Sequence, residues 1–211
     1  MESDATKLTL TIQGVNDAPE VTSSAVSFNG TEDGSAVEGN LSNYASDPDA
    51  GSTLVYSVAA GGSPENGSLT IETDGKFEYA PDANFYGTDT FIFRVVDDKG
   101  VAATKTVSVN IASVNDAPTV VNEAVELAAD KSVVLRVLDN DSDIEGQDIS
   151  LKLGSVDFDF DGDVVPLTVV QNDEDGTITI TPDPSHALFV NLAKNAAAPV
   201  QTISYTVKDT A

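Results

Sequence analysis

Acidic residues recur at the same three places in each half of this chain. In the first half they are Asn16-Asp17 within the pentapeptide VNDAP, Asp47 and Asp49 within SDPDAGS, and Asp97 beside Asp98. In the second they are Asn115-Asp116 within another VNDAP, Asp141 and Asp143 within DNDSDIEG, and Asp209. Carboxylates drawn together from separate loops repel one another unless a cation sits among them. A hard ion such as Ca²⁺ suits them, because it takes about six to eight oxygens from carboxylates, amides and backbone carbonyls. Zinc would ask for His or Cys, and the chain has only His186 and no Cys. Calcium is therefore the expected cofactor. Asp and Asn also make good turns, which accounts for any one of these loops alone but not for the whole set appearing twice.

Catalysis is not expected. The chain contains no GxSxG, no HExxH and no phosphate-binding loop with its Lys. Paired carboxylates can hydrolyse glycosides, yet that reaction needs a cleft with aromatic platforms, and aromatics make up 6 % of the chain with no Trp. Phe77, Tyr79, Phe91 and Phe93 alternate with polar neighbours and read as core, which leaves Tyr44 and Tyr86 as loop tyrosines. His186, in PDPSHALF, reads as an exposed loop residue. DFDFDGD at 157–163 opens like an EF-hand loop through Asp157, Asp159, Asp161 and Gly162. Thr168 stands where the bidentate Glu would be and an apolar strand follows, so a hairpin is the better reading.

The loops need a scaffold, and the rest of the sequence supplies strands. Leu8, Leu10 and Ile12 alternate with Lys7, Thr9 and Thr11, the period of a half-buried strand that VNDAP then ends. Seven alternating runs follow, at about 25–28, 35–41, 53–58, 68–72, 76–80, 88–96 and 101–112. TDG at 73–75 and DDKG at 97–100 mark hairpins between them. Runs at 133–138, 149–156, 164–170, 177–181 and 202–207 repeat the order, with a longer loop from Asp183 to Val200. The second set lacks the last strand of the first. KLTLTIQGVNDAP at 7–19 matches KTVSVNIASVNDAP at 105–118, so the chain reads as a piece cut out of register with its repeats. Residues 1–18 are then the last strand and linker of a preceding repeat, 19–117 the first sandwich and 118–211 the second. Open sheet edges template pairing, so residues 6–13 are candidates to complete the second repeat of another copy, or of the same parent chain across an insertion.

In such a sandwich the entering linker, the loop after the second strand and the loop after the sixth meet at one end. Asp17, Asp47, Asp49 and Asp97 would gather there in the first repeat. Glu32 of TEDGS and Asp82 of PDANFYG would face the other end, toward Asn115-Asp116, Asp141, Asp143 and Asp209. Ions at such a joint would fix the angle between repeats.

Composition narrows the partners. With 35 Asp+Glu against 10 Lys+Arg the net charge is −25, which repels nucleic acid and anionic membrane surfaces. The N-terminal MESDATKL lacks the regions of a signal peptide and no apolar run is long enough to span a bilayer, so a soluble piece of a longer protein is expected. At 40 % hydrophobic with regular alternation, the acidic composition does not signify disorder.

VNDAP, TEDGS, SDPDAGS and GSLTIETDGKFEYAPDANFYGTDTFIFRVVDDKG, running into the next VNDAP, resemble the cadherin-like tandem repeats of large bacterial surface adhesins. These are the long proteins often exported by type 1 secretion and ending in RTX repeats. The match covers nearly all of residues 6–118 and extends more loosely over 119–211 through VLDNDSDIEGQDISL, GTITITPD and ISYTVKD. The resemblance implies an all-β fold of tandem seven-stranded Greek-key Ig/cadherin-like β-sandwiches joined by calcium-binding linkers. It implies that Asp17, Asp47, Asp49 and Asp97 serve one site, and that Glu32, Asp116, Asp141, Asp143 and Asp209 serve the site between repeats. AADKS at 128–132 departs from TEDGS by placing Asp130 where Glu32 stands. The implied role is a calcium-stiffened extender on the bacterial cell surface, in adhesion and biofilm, with neighbouring repeats and a cell-surface glycan or protein as partners. The other reading is a module that binds polysaccharide or peptide, with contacts at 157–163 and 183–200 of the second repeat.

Overall fold

Alternation of inward Phe91, Phe93 and Val95 with outward Thr90, Ile92 and Arg94 builds one of the longest strands of the chain, and everything around it follows from covering that apolar face. In the computed structural model, the described residues are 9–11, 14–125, 131–153, 159–160, 163–164, 167–172, 176–183 and 205–209. They divide into two compact units, Met1–Val114 and Asn115–Ala211.

The first unit contains β1 (Glu20–Val21), β2 (Val26–Thr31), β3 (Val37–Asn40), β4 (Ala45–Ser46), β5 (Val55–Val58), β6 (Gly67–Ile71), β7 (Lys76–Pro81), β8 (Gly87–Val96) and β9 (Ala102–Ala112). One sheet has the order β2-β9-β8-β5 and the facing sheet β3-β7-β6, with β1 and β4 as a short extra ladder. β8 and β9 are antiparallel from Gly87↔Ile111 to Val96↔Ala102, while β2 runs parallel to β9 with Val26 opposite Val107. The two inner faces bury Phe77, Tyr79, Phe91, Phe93, Val95, Val107, Val109 and Ile111, so the four aromatics expected in the core are there. Packing is close enough that a Cβ on Gly39 would lie 2.5 Å from the rings of both Phe28 and Phe77. Gly75, at φ 94°, closes the turn between β6 and β7 where TDG marks a hairpin. Tyr44 ends a short 3-10 turn, Leu41–Tyr44, and packs edge-on against Phe28 at 6.1 Å, so it belongs to the core margin rather than to a free loop.

Buried Asp89 pins the end of this core. Its carboxylate accepts from the N–H groups of Asn66 (2.8 Å), Thr90 (2.7 Å) and Glu65 (3.2 Å) and from the Tyr79 hydroxyl (3.0 Å). Burial pushes its pKa up, but the donors outweigh that and hold it below the ordinary carboxylate range.

The second unit contains β10 (Val133–Arg136), β11 (Ile149–Leu153), β12 (Asp159–Phe160), β13 (Asp163–Val164), β14 (Leu167–Asn172), β15 (Thr177–Pro182) and β16 (Tyr205–Asp209). β10-β15-β14 form one antiparallel sheet, and β11 pairs with β16. Val137, Leu151, Ile178 and Ile180 make its buried cluster. β12 and β13 pair as a hairpin, the reading preferred for 157–163 over an EF-hand loop. Residues 184–200, which include His186 and nearly all of the long loop, lie outside the described residues, as do Asp157, Asp161 and Asp130.

The strand expected at 7–12 is not formed over its described part. Thr9, Leu10 and Thr11 are in no strand, and Leu10 is 79 % exposed. Alternation alone does not make a strand without a neighbour to take its hydrogen bonds.

Candidate metal centres

The linker enters the first unit as a hydrogen-bonded knot. Asn16 donates through Nδ2 to the Asp97 carboxylate (2.8 Å) and to the Asp17 carbonyl (2.8 Å). The Asp17 N–H donates to Asp49 Oδ2 (2.8 Å), and the Asp49 N–H to Asp47 Oδ1 (2.8 Å). Asp97, buried at the end of β8, also accepts from the N–H groups of Lys99 (2.9 Å) and Val101 (2.8 Å). The Asn16 amide first, helped by these backbone donors and opposed by burial, holds the Asp97 carboxyl below its ordinary range. Linker, SDPDAGS loop and DDKG turn thus come together as their spacing implies.

The second unit ties the same knot with one change of residue. Asn115 donates to the Asp209 carboxylate (2.8 Å) and to the Asp116 carbonyl (3.1 Å), as Asn16 does to Asp97 and Asp17. The Asp116 N–H then reaches Glu145 Oε2 (3.3 Å), and the Glu145 N–H reaches Asp143 Oδ1 (3.0 Å). Gln147 donates to Asn115 Oδ1 at 2.7 Å. Asp143 and Glu145 therefore hold the places of Asp47 and Asp49. The pairing agrees, since Thr119↔Ser142 is the counterpart of Glu20↔Ser46. Glu145 is a member of the knot that the sequence reading missed, and the signal was SDIE at 142–145 set against SDPD at 46–49.

Asp141 goes elsewhere. It accepts from the Val121 N–H (2.8 Å), and its charge is felt by Tyr205, whose hydroxyl makes a short hydrogen bond to Glu123. Burial first, then that bond and the charges of Glu123 and Asp141, push the Tyr205 phenol far up. Asp82 joins neither knot: it is exposed, and its backbone bonds go to Asn66 and Phe85. Glu32 is almost fully buried at the end of β2 and accepts from the Val114 N–H at 2.7 Å. Asp33 beside it takes φ 53°, a left-handed turn conformation that Asp tolerates.

Seven side-chain atoms among the described residues are buried without any hydrogen-bond partner: Glu32 Oε2, Asp47 Oδ2, Asp116 Oδ2, Glu123 Oε1, Asp141 Oδ2, Asp143 Oδ2 and Glu145 Oε1. Every one is a carboxylate oxygen, the group most penalised by burial without a counter-charge. Carboxylate oxygens of Asp116 and Glu145 lie within 4.8 Å of each other. Burial, and then the Asp116 and Asp143 charges, push the Glu145 carboxyl above its ordinary value, although the Asp116 N–H opposes this. The described ion pairs, Lys76–Asp74 and Lys99–Asp98, neutralise none of the seven. This donor set is all oxygen and anionic, the chemistry that suits a hard divalent cation, and the knots hold four of its members: Asp47 in the first unit and Asp116, Asp143 and Glu145 in the second.

A family model for bacterial cadherin-like domains matches residues 16–113, and one for bacterial Ig domains matches residues 115–211. No curated protein matches the chain. Among solved structures the chain is similar to protocadherin gamma B2 extracellular cadherin domains 1–5, with a TM-score of 0.51, 16 % identity, and coverage of 81 % of this chain and 34 % of that one. It is likewise similar to the protocadherin gammaB4 extracellular domain, at TM-score 0.51 and 16 % identity over 82 % of this chain and 28 % of that one. At such identities the likeness is one of fold. The chain spans 41 % of the length of the protocadherin gamma B7 domain 1–4 structure. Domains of these two bacterial families are typically extracellular structural and adhesion-type modules, and cadherin-like domains generally bind calcium. None of the described helices is long and apolar enough to cross a membrane. Residues 16–113 are a bacterial cadherin-like domain and residues 115–211 a bacterial Ig domain, two all-β modules in tandem.

Proposed function

We propose that the chain is a calcium-stiffened extender of a bacterial cell-surface adhesin, one that holds terminal binding domains away from the cell. The observation that carries this reading is the set of buried, unpartnered carboxylate oxygens beside two matching linker knots. A cation on the first set ties Asn16-Asp17 to the sandwich it enters, and a cation on the second does the same for Asn115-Asp116. Each linker then loses its freedom to swing, and a string of such modules behaves as a rod. Surface attachment, biofilm, an RTX-type parent and a glycan or protein target belong to the same proposal and rest on the family resemblance.

A two-probe thermal melt in calcium, in magnesium and in EDTA tests it. Binding to the folded state stabilises by mass action, about 2.7 kcal/mol at a hundredfold excess over Kd. Calcium should raise both midpoints strongly, magnesium should not, and Asp116→Ala should remove the gain in the second unit. Coincident melts in calcium and EDTA would reduce the acidic loops to turns and end the extender reading.

A further inference from the structure

The outward face of the sheet β2-β9-β8-β5 is built differently from the acidic loops around it. Register places Thr88 beside Asn110 and Asn29 in one row across β8, β9 and β2, and Thr90 beside Ser108 and Ser27 in the next. Further along, Thr106 stands beside Ile92, and Thr104 beside Arg94, which in turn faces Ser57 of β5. Asp89, the one carboxylate within these four strands, points inward and is buried. Lys105 belongs to the inward set as well and donates to the Thr22 carbonyl (2.9 Å). The outward positions therefore hold no carboxylate, in a chain with 35 Asp+Glu, and Arg94 is their only full charge. The facing sheet differs: Glu38 of β3 lies directly opposite Glu78 of β7, and both are exposed. Thr88 donates to Asn110 Oδ1 (2.9 Å) and Asn110 to Asn29 Oδ1 (3.2 Å), so the first polar row is already ordered.

We infer that this face is a docking surface for the same face of a second copy of the chain. Hydroxyl and carboxamide groups each donate and accept, so a face of Thr, Ser and Asn is complementary to itself, as a face of carboxylates or ammonium groups is not. An isologous two-fold contact needs that property, because the surface meets its own copy. Charge selects the same partner. Two chains of net charge −25 repel one another, and through this face they approach without bringing carboxylates together. A neutral sugar would not require such a face, since carboxylates accept well from sugar hydroxyls, and Arg94 alone gives an anionic polymer little to hold. Apolar contact comes from Ile92, Val96 and Val55, the last 48 % exposed, gathered toward the β5 side. Four strands about 4.8 Å apart over the length of Thr88–Val96 give roughly 500 Å² per copy and roughly 1,000 Å² per pair, the size of a weak, transient interface. Isologous pairing ends at the dimer.

Sedimentation velocity of the 211-residue chain in EDTA, across a hundredfold concentration range at about 0.05 M and about 0.5 M NaCl, is the test. Expected is a monomer–dimer equilibrium that shifts toward dimer in high salt, because screening weakens the repulsion between two acidic chains and takes little from a contact that holds almost no charge. Thr106 is exposed near the middle of the face, so it can change without touching the core. Thr106→Glu and Thr106→Lys should both be monomeric, since like charges of either sign meet across the two-fold. Ser68→Glu, exposed on the outward face of the other sheet, should dimerise as the wild type does. A wild-type chain that is monomeric throughout overturns the inference and leaves the face to another occupant. A dimer that weakens in high salt also overturns it, by assigning the attraction to opposite charges. Equal weakening by Thr106→Glu and Ser68→Glu does the same, by assigning the effect to net charge, and oligomers beyond the dimer overturn the two-fold.

Discussion

Phe93 is fully buried and Tyr205, at the same place in the second unit, is only half-buried; among the described residues twelve buried side chains form the first core and four the second. The carboxylates run the other way. Five of the seven buried oxygens without a partner belong to the second unit, and two to the first. The first unit is held by apolar packing between two sheets, with the acidic knot at one end. Among its described residues the second has less apolar burial and more uncompensated charge, so there stability leans on whatever neutralises that charge.

Core truncation should separate the units most sharply. Phe93→Ala should cost about 3–5 kcal/mol of first-unit stability, whereas Val207→Ala should cost the second about 1 kcal/mol, both read from two-transition urea melts. Equal losses would mean the second core is as complete as the first.

Asp89→Asn comes next, at about 1–3 kcal/mol, because a neutral amide cannot accept from all four donors. Since the folded pKa of Asp89 is depressed, its contribution is present above the unfolded value and is lost as pH falls through the folded one. Melts below about pH 4 should show the first unit losing stability, with a flatter slope in the variant.

Glu145→Gln should act with opposite signs in two buffers. In EDTA it relieves repulsion from Asp116 and Asp143 and raises the second midpoint. In calcium it removes a ligand and lowers the calcium affinity measured by calorimetry, about tenfold. Loss in both buffers would assign Glu145 a purely structural role. Smallest of all, Lys76→Ala removes an exposed ion pair of 2.8 Å with Asp74 and should change stability by less than about 0.5 kcal/mol in either buffer.

The strands and the acidic loops are legible residue by residue because both are local signals. Alternation over Thr88–Val96 and over Ala102–Ala112 is the pleat written in sequence, and TDG names its own turn through Gly75. The repeat of VNDAP likewise announces that Asn115 will do in one unit what Asn16 does in the other. Glu145 was not legible in the same way. DNDSDIEG offers Asp141, Asp143 and Glu145 at alternate positions, and a shift of two residues leaves the chemistry of the motif unchanged. Only the bridge Thr119↔Ser142 fixes which pair meets the linker, so Asp141 is carried off to Val121 and Tyr205.

Residues 7–13 teach the complementary lesson. Their sequence is that of a last strand, and their described part, Thr9–Thr11, is in no strand, because a strand is a relation between two stretches of chain and not a property of one. By itself the sequence determined which residues alternate, which turn and which are charged, all of which depend on neighbours a few positions away. Tertiary structure alone decided which carboxylates share a knot and which oxygens are buried without partners, since each of these depends on contacts between segments as far apart as Asn115 and Asp209.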